Sequence, residues 1–217
     1  MKYSIPIFQT LKADIYEKNY TYIESEVFEE ILMARKRIFI DDKKWNMDSY
    51  VGGYKEMDMY DDKDAYYIYY WENSLIGSVR LRKSSSPTLL SGPFKYLKDM
   101  VKSNDIYDDN MWEASRFFIV KKGYSDDVKK IHGLSHYTLS LFIGMIIFGV
   151  KNNVSYFEVV VDVLMARVLK RAGWELTVLS ESYGSNNDII YYGILDCNDA
   201  ILDEIIKKAL NNLGCNQ

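Results

Sequence analysis

Two stretches carry acid–base side chains in patterns that could do chemistry. The first is Trp112-Glu113-Ala114-Ser115-Arg116-Phe117-Phe118-Ile119-Val120. It is β-branched and aromatic enough to read as a strand. Charged groups in such a run need partners, because burying an unpaired charge is costly. Three positions apart, Glu113 and Arg116 face opposite sides of a regular strand, and only a bulge would bring them together. The plainer reading is a structural ion pair or solvent exposure. The second stretch is Glu56-Met57-Asp58-Met59-Tyr60-Asp61. It suits a solvated loop or an acidic wall for a cationic ligand, and suits calcium less, since the glycine and closing glutamate of a full calcium loop are missing.

Other chemistries find less support. His132 and His136 share a helix face, but residue 133 is Gly and no third ligand is spaced nearby, so no metal is expected. No Gly-x-Ser-x-Gly motif occurs, and the two cysteines, Cys197 and Cys215, have no ligand-like spacing and suit a reducing compartment. A net charge of −4, from 27 basic and 31 acidic residues, argues against nucleic acid as the main partner. The most apolar run, 139–150, is too short to span a membrane, and the first residues lack a signal-peptide core. A soluble, cytoplasmic protein is expected.

The 217 residues suit one domain built around one core. A short β-like segment over 2–9 precedes an amphipathic helix over 25–39, acidic at its start and basic at its end. A long polar loop over 41–64 has the length of a lid or binding wall. Strands over 65–71 and 75–82 form a hairpin, followed by a short helix over 94–101. After the strand that ends at Val120 comes a helix over 125–151, apolar all round in its second half and therefore buried. A strand over 156–161, a helix over 164–172 capped by Gly173, strands over 175–180 and 189–195, and a helix over 200–213 complete the chain. That mixture predicts an α/β (α+β) fold, a mixed sheet flanked by helices.

Taken in register, the fragments resemble a known family, the acyl-homoserine-lactone synthases of the LuxI type. The match runs through Arg35, Phe39 and Trp45, then Glu56-x-Asp58-x-x-Asp61, then Gly77-Ser78-Val79-Arg80-Leu81. It continues through Pro87-Thr88-Leu89-Leu90-Ser91 and Phe94, the Trp112–Phe117 segment, and Met165 to Trp174. Arg82-Lys83-Ser84 departs from the family, which usually continues with an apolar residue and proline. The resemblance implies a Gcn5-related N-acetyltransferase-like fold, with a V-shaped mixed sheet flanked by helices on both sides. It also implies a reaction joining S-adenosylmethionine, as substrate and not cofactor, to an acyl chain delivered on acyl carrier protein. Another N-acyltransferase of the same fold, using acyl-coenzyme A, is the alternative.

On that resemblance Glu113, Arg116 and Asp58 are expected to be catalytic, with Arg35, Phe39, Trp45, Asp61 and Arg80 binding S-adenosylmethionine. Carboxylates would face the substrate's cations, a guanidinium fork its carboxylate, and aromatic faces its adenine or sulfonium. Leu141, Phe142, Met145, Ile146 and Val159 are expected to line the acyl pocket. Where acetyltransferases of this fold carry a glycine-rich pyrophosphate turn, this chain reads Lys121-Lys122-Gly123-Tyr124-Ser125. Lys121, Lys122, Lys129 and Lys130 would instead meet an acidic carrier protein, or serve as solvated lysines.

Overall fold

A computed structural model describes residues 14–47, 50–101, 108, 110–120, 130–131 and 134–211. Seven strands form one mixed sheet: β1 (Ile15–Asn19), β2 (Tyr66–Trp71), β3 (Leu75–Lys83), β4 (Met111–Ile119), β7 (Tyr156–Asp162), β8 (Thr177–Tyr183) and β9 (Ile189–Asp196). Their order is β1-β2-β3-β4-β7-β9-β8. Two-residue strands β5 (Lys130–Ile131) and β6 (Leu134–Ser135) pair separately. Helices α1 (Ser25–Arg35), α2 (Lys95–Asp99), α3 (His136–Lys151), α4 (Val163–Ala172) and α5 (Asp199–Asn211) flank the sheet.

The sheet's middle decides its shape. All neighbours pair antiparallel except β4 and β7, which run parallel and pair only from Met111↔Tyr156 to Glu113↔Glu158. Beyond Glu113 the two strands continue for several residues without partnering each other, so the sheet opens into a V. Backbone groups released from a ladder need other partners or a cleft.

Each face of the V is filled by a different cluster. α3 is buried nearly throughout and packs with Ile68, Val79, Leu81, Trp112 and Phe157 on one side. α1 covers the other side, where Ile31, Ala34 and Phe39 meet Tyr67, Tyr69 and Phe118. Gly77 on β3 lets strands and helix approach closely: a Cβ there would lie 2.5 Å from Phe118 O and 3.0 Å from Leu141 Cδ1. α4 starts with Asp162, whose Oδ1 accepts from the Met165 N–H at 2.7 Å, and stops at Gly173 with φ 87°.

Three expectations change. The helix expected from 125 begins at His136, because Ser135 caps it by accepting the Thr138 N–H at 3.2 Å, and residues 130–131 and 134–135 form a hairpin before it. The helix expected to end at Phe39 stops its regular pattern at Arg35 and widens into a broader turn through Asp42, with Lys43 N–H bonded to Ile38 C=O at 3.0 Å. The edge strand Ile15–Asn19 was not expected, since only Ile15 of its five residues is buried. The segment over 2–9 lies outside the described residues.

Candidate active site

The strand carrying Glu113 is not regular. Ser78 pairs with Phe118 and Arg80 with Ser115, so Arg116 and Phe117 both face the single residue Val79. Arg116 absorbs this bulge with φ 57°, rare for a residue with a side chain. The bulge turns Arg116 onto the face shared by Glu113 and Ser115 and sends Phe117 into the opposite core. The expectation of opposite faces is thereby overturned. The bulge does not make an ion pair between the two, however: Arg116 reaches the loop that follows α1.

The acidic residues of that loop are buried, although the loop itself is exposed over 51–54 and at Met57 and Met59. Glu56, Asp58 and Asp61 are each under 10% exposed and meet three guanidinium groups. Arg35 bonds Glu56 Oε2 at 2.6 Å and Asp61 Oδ1 at 2.8 Å. Arg80 grips Asp58 with two nitrogens at 2.5 and 3.1 Å, and reaches Asp61 at 2.9 Å and Ser115 Oγ at 3.2 Å. Arg116 donates to Asp58 Oδ2 at 2.8 Å and to Glu56 at 3.2 and 3.3 Å. The Tyr67 hydroxyl donates to Asp61 at 2.7 Å. Three carboxylates and three guanidinium groups cancel, so the expected acidic wall is a neutral, cross-braced cluster.

Electrostatics separates these carboxylates from Glu113. Burial alone would raise Asp61, but the Arg35 and Arg80 charges beside it hold it far below the usual range. For Glu113 burial prevails, pushing it up against the Leu90 amide and the Arg80 charge. Leu90 N–H donates to Glu113 Oε2 at 2.8 Å, while Oε1 is buried without a hydrogen-bond partner among the described residues. The reciprocal bonds between Thr88 and Ser91 shape the turn that presents this amide.

Glu113 and Asp58 border a cavity of about 600 Å³ in the opening of the V. Of the expected site residues, Glu113, Arg116, Asp58, Phe39 and Trp45 line it, and so do Phe142, Met145 and Val159. Arg35, Arg80 and Asp61 stand behind Asp58 and brace it. Leu141 packs beside Gly77, and Ile146 is buried in the core, both away from the cavity wall. Phe39 and Trp45 stack face to face, 5.2 Å apart and 1° from parallel. The apolar end is closed by Met165, Leu169, Trp174 and Leu195. Trp174 is fixed there by its Nε1–H bond to Asp196 O at 2.8 Å. Lys121, Lys122, Lys129 and His132 lie outside the described residues, and of Lys130 only the backbone in β5 is described.

Sequence reasoning passed over Glu56 and Ser115 as site members, although both stand inside the quoted motifs. The signal was numerical: three acids in one short run against three strand and helix arginines, with every long-range partner still to be found. It also passed over Tyr60, whose ring lines the cavity 5.7 Å from the Arg80 guanidinium.

The sequence model of the family described as Autoinducer synthase matches residues 19–205. The chain belongs to the autoinducer synthase family. Among its relatives is the acyl-homoserine-lactone synthase of Yersinia enterocolitica, 29% identical over 198 residues, covering 90% of this chain and 88% of the relative. The coenzyme A-dependent acyl-homoserine lactone synthase BjaI, solved with SAM and isopentyl-CoA, superposes with a TM-score of 0.76 at 21% identity. That match covers 94% of this chain and 91% of BjaI. BjaI with MTA gives a TM-score of 0.75 at 20% identity over the same shares. This autoinducer synthase therefore has the Gcn5-related N-acetyltransferase-like fold, and it is an enzyme of the acyltransferase class.

Proposed function

We propose that this autoinducer synthase is an acyl-homoserine-lactone synthase that acylates S-adenosylmethionine with an acyl chain carried on acyl carrier protein and then closes the lactone. The observation that carries the reading is Glu113, a buried carboxyl on the cavity wall whose Oε1 makes no hydrogen bond among the described residues. A carboxylate raised by burial, with one oxygen held by an amide and the other free, is ready to accept a proton from an ammonium group.

In the first step Glu113 takes a proton from the substrate's ammonium. The freed amine attacks the thioester carbonyl, the N–C bond forms, and the C–S bond breaks as the carrier's thiol leaves. In the second, a carboxylate oxygen of the methionine moiety attacks its own γ-carbon. The C–S⁺ bond breaks, its electron pair returns to sulfur, and neutral methylthioadenosine departs. Asp58 and Arg116 are the two members of the braced cluster that reach the cavity. Asp58 opposes the substrate's positive charge, and Arg116 offers donors to its carboxylate. Their fixed hydrogen bonds keep them from reorganising during the reaction. Phe39 and Trp45 supply aromatic faces for the sulfonium or adenine. Phe142, Met145 and Val159, continuing to Trp174, form the apolar path for the acyl tail.

BjaI's dependence on coenzyme A supports a second reading, in which the thioester arrives on coenzyme A. Steady-state kinetics with matched acyl chains on the two carriers separates them. The carrier-protein reading expects the higher kcat/KM with acyl carrier protein, and a higher value with the coenzyme A thioester would replace it by the second.

A further inference from the structure

Past Glu113 and Glu158 the arms of the V share no ladder hydrogen bonds, yet their open end is tied. Lys43, in the turn after α1, places Nζ 3.1 Å from Asp162 Oδ2 at the end of β7. Its carbonyl accepts from Asn186 Nδ2 at 3.0 Å, and the Asn46 N–H donates to Ser185 Oγ at 3.3 Å. These bonds join segments 119 to 143 residues apart in sequence. Lys43, Asn46, Asp162, Ser185 and Asn186 all border the cavity. The same Lys43 Nζ lies 4.4 Å from the centre of the Trp45 ring, which is stacked on Phe39. Nothing in the acylation steps above uses Lys43 or Asp162.

We propose that Lys43 and Asp162 are positioning residues, a clasp across the open end of the V that holds Trp45 against Phe39 as the wall for the nucleoside half of the substrate. This rests on the reading of the cavity as the site for S-adenosylmethionine. Lys43 acts through two partners at once. The ion pair ties it to the far arm, and its cation over the indole face fixes the ring on the near arm. Asp162 is divided in the same way, one oxygen holding Lys43 and the other capping α4. The clasp therefore sets nucleoside affinity, while Glu113 sets the chemical step.

The division of Asp162 supplies a clean test. Asp162→Asn keeps a good cap but loses the charge. Lys43→Met keeps the stem and loses the cation, and Lys43→Arg keeps charge and stacking. Methylthioadenosine is the probe: it is neutral at sulfur, so added salt acts on the clasp and not on the ligand. Calorimetry should show Lys43→Met and Asp162→Asn each weakening binding about three- to tenfold, the range expected for a partly exposed ion pair with a cation–π contact. The double variant should be no weaker than either single, and Lys43→Arg should bind like the wild type. Added salt should weaken the wild type and leave Lys43→Met unaffected. With S-adenosylmethionine the loss should fall on KM and not on kcat. Wild-type binding retained by Lys43→Met, with the same salt dependence, overturns the clasp and leaves the site reading intact. Failure of the wild type to bind either nucleoside removes both.

Discussion

At the scale of the residue, Glu113 carries an unusual combination of costs and uses. Burial raises its pKa, so ionising it opposes folding. The stability tied to the protonated acid is fully present below the ordinary carboxylate value of about 4.3, and it is lost as pH rises through Glu113's raised value. The carboxylate that the proposed mechanism needs as base exists only on the far side of that same rise. Glu113→Gln removes the conflict, since the amide oxygen can still accept the Leu90 N–H. Turnover should fall about 10²–10⁴-fold with little change in S-adenosylmethionine affinity. The same variant should unfold at an equal or higher temperature than the wild type at pH 8. Kinetics and thermal scans check both halves, and wild-type turnover in the variant dismisses Glu113 as the base. In the wild type, kcat/KM should climb with pH along a limb above the usual carboxylate range, and Glu113→Gln should lose that limb. Glu113 was legible because a carboxylate stands out in an apolar run, whereas Asp58, Phe39 and Trp45, which read singly as polar loop, core and lid, were drawn together only by the family resemblance. The direction of Arg116 was not, because one inserted residue reverses a strand's alternation and no residue type marks it.

At the scale of the element, the braced loop and the bulged strand depend on each other. Arg35 neutralises Glu56 and Asp61 in a region with almost no solvent. Arg35→Met should cost about 3–5 kcal/mol in denaturant unfolding, since two carboxylates lose a partner where water cannot replace it. A loss below about 1 kcal/mol would show that the loop relaxes into solvent. Acid acts on the same cluster: Asp61, held low by Arg35 and Arg80, contributes stability above the ordinary carboxylate value that is lost as pH falls through its depressed one. Gly77 sits where β3, the end of β4 and α3 crowd together. Gly77→Ala should destabilise by about 1–3 kcal/mol, because the nearest obstacle is the Phe118 carbonyl and not a flexible side-chain tip. Elements with strong patterns, such as α3 and the β2–β3 hairpin, were readable from the sequence. β1 was not, since an edge strand with one buried residue shows no alternation, and the wide turn at Lys36–Asp42 keeps the composition of an ordinary helix.

At the scale of the whole molecule, the cavity follows from one parallel pairing that ends early. Because β4 and β7 part after Glu113 and Glu158, Glu113, the braced Asp58 and Arg116, the Phe39–Trp45 pair and the apolar residues Phe142, Met145 and Val159 all open onto one cavity. The mixed sheet was legible from the order of elements, but the place where it splits is a property of two strands distant in sequence. The apolar lining shows the same limit: Phe142 and Met145 of α3 and Val159 of β7 reach the cavity, while Leu141 and Ile146 of α3 are buried in the core. Among the described residues no helix is long and apolar enough to cross a membrane. The most direct test of the account is purified protein with S-adenosylmethionine and a panel of acyl chains on acyl carrier protein and coenzyme A, followed by mass spectrometry. The account predicts an acyl-homoserine lactone and methylthioadenosine in equal amounts, both formed about 10²–10⁴-fold more slowly by Glu113→Gln. Absence of both across the panel, or methylthioadenosine formed without an acylated lactone, would contradict it.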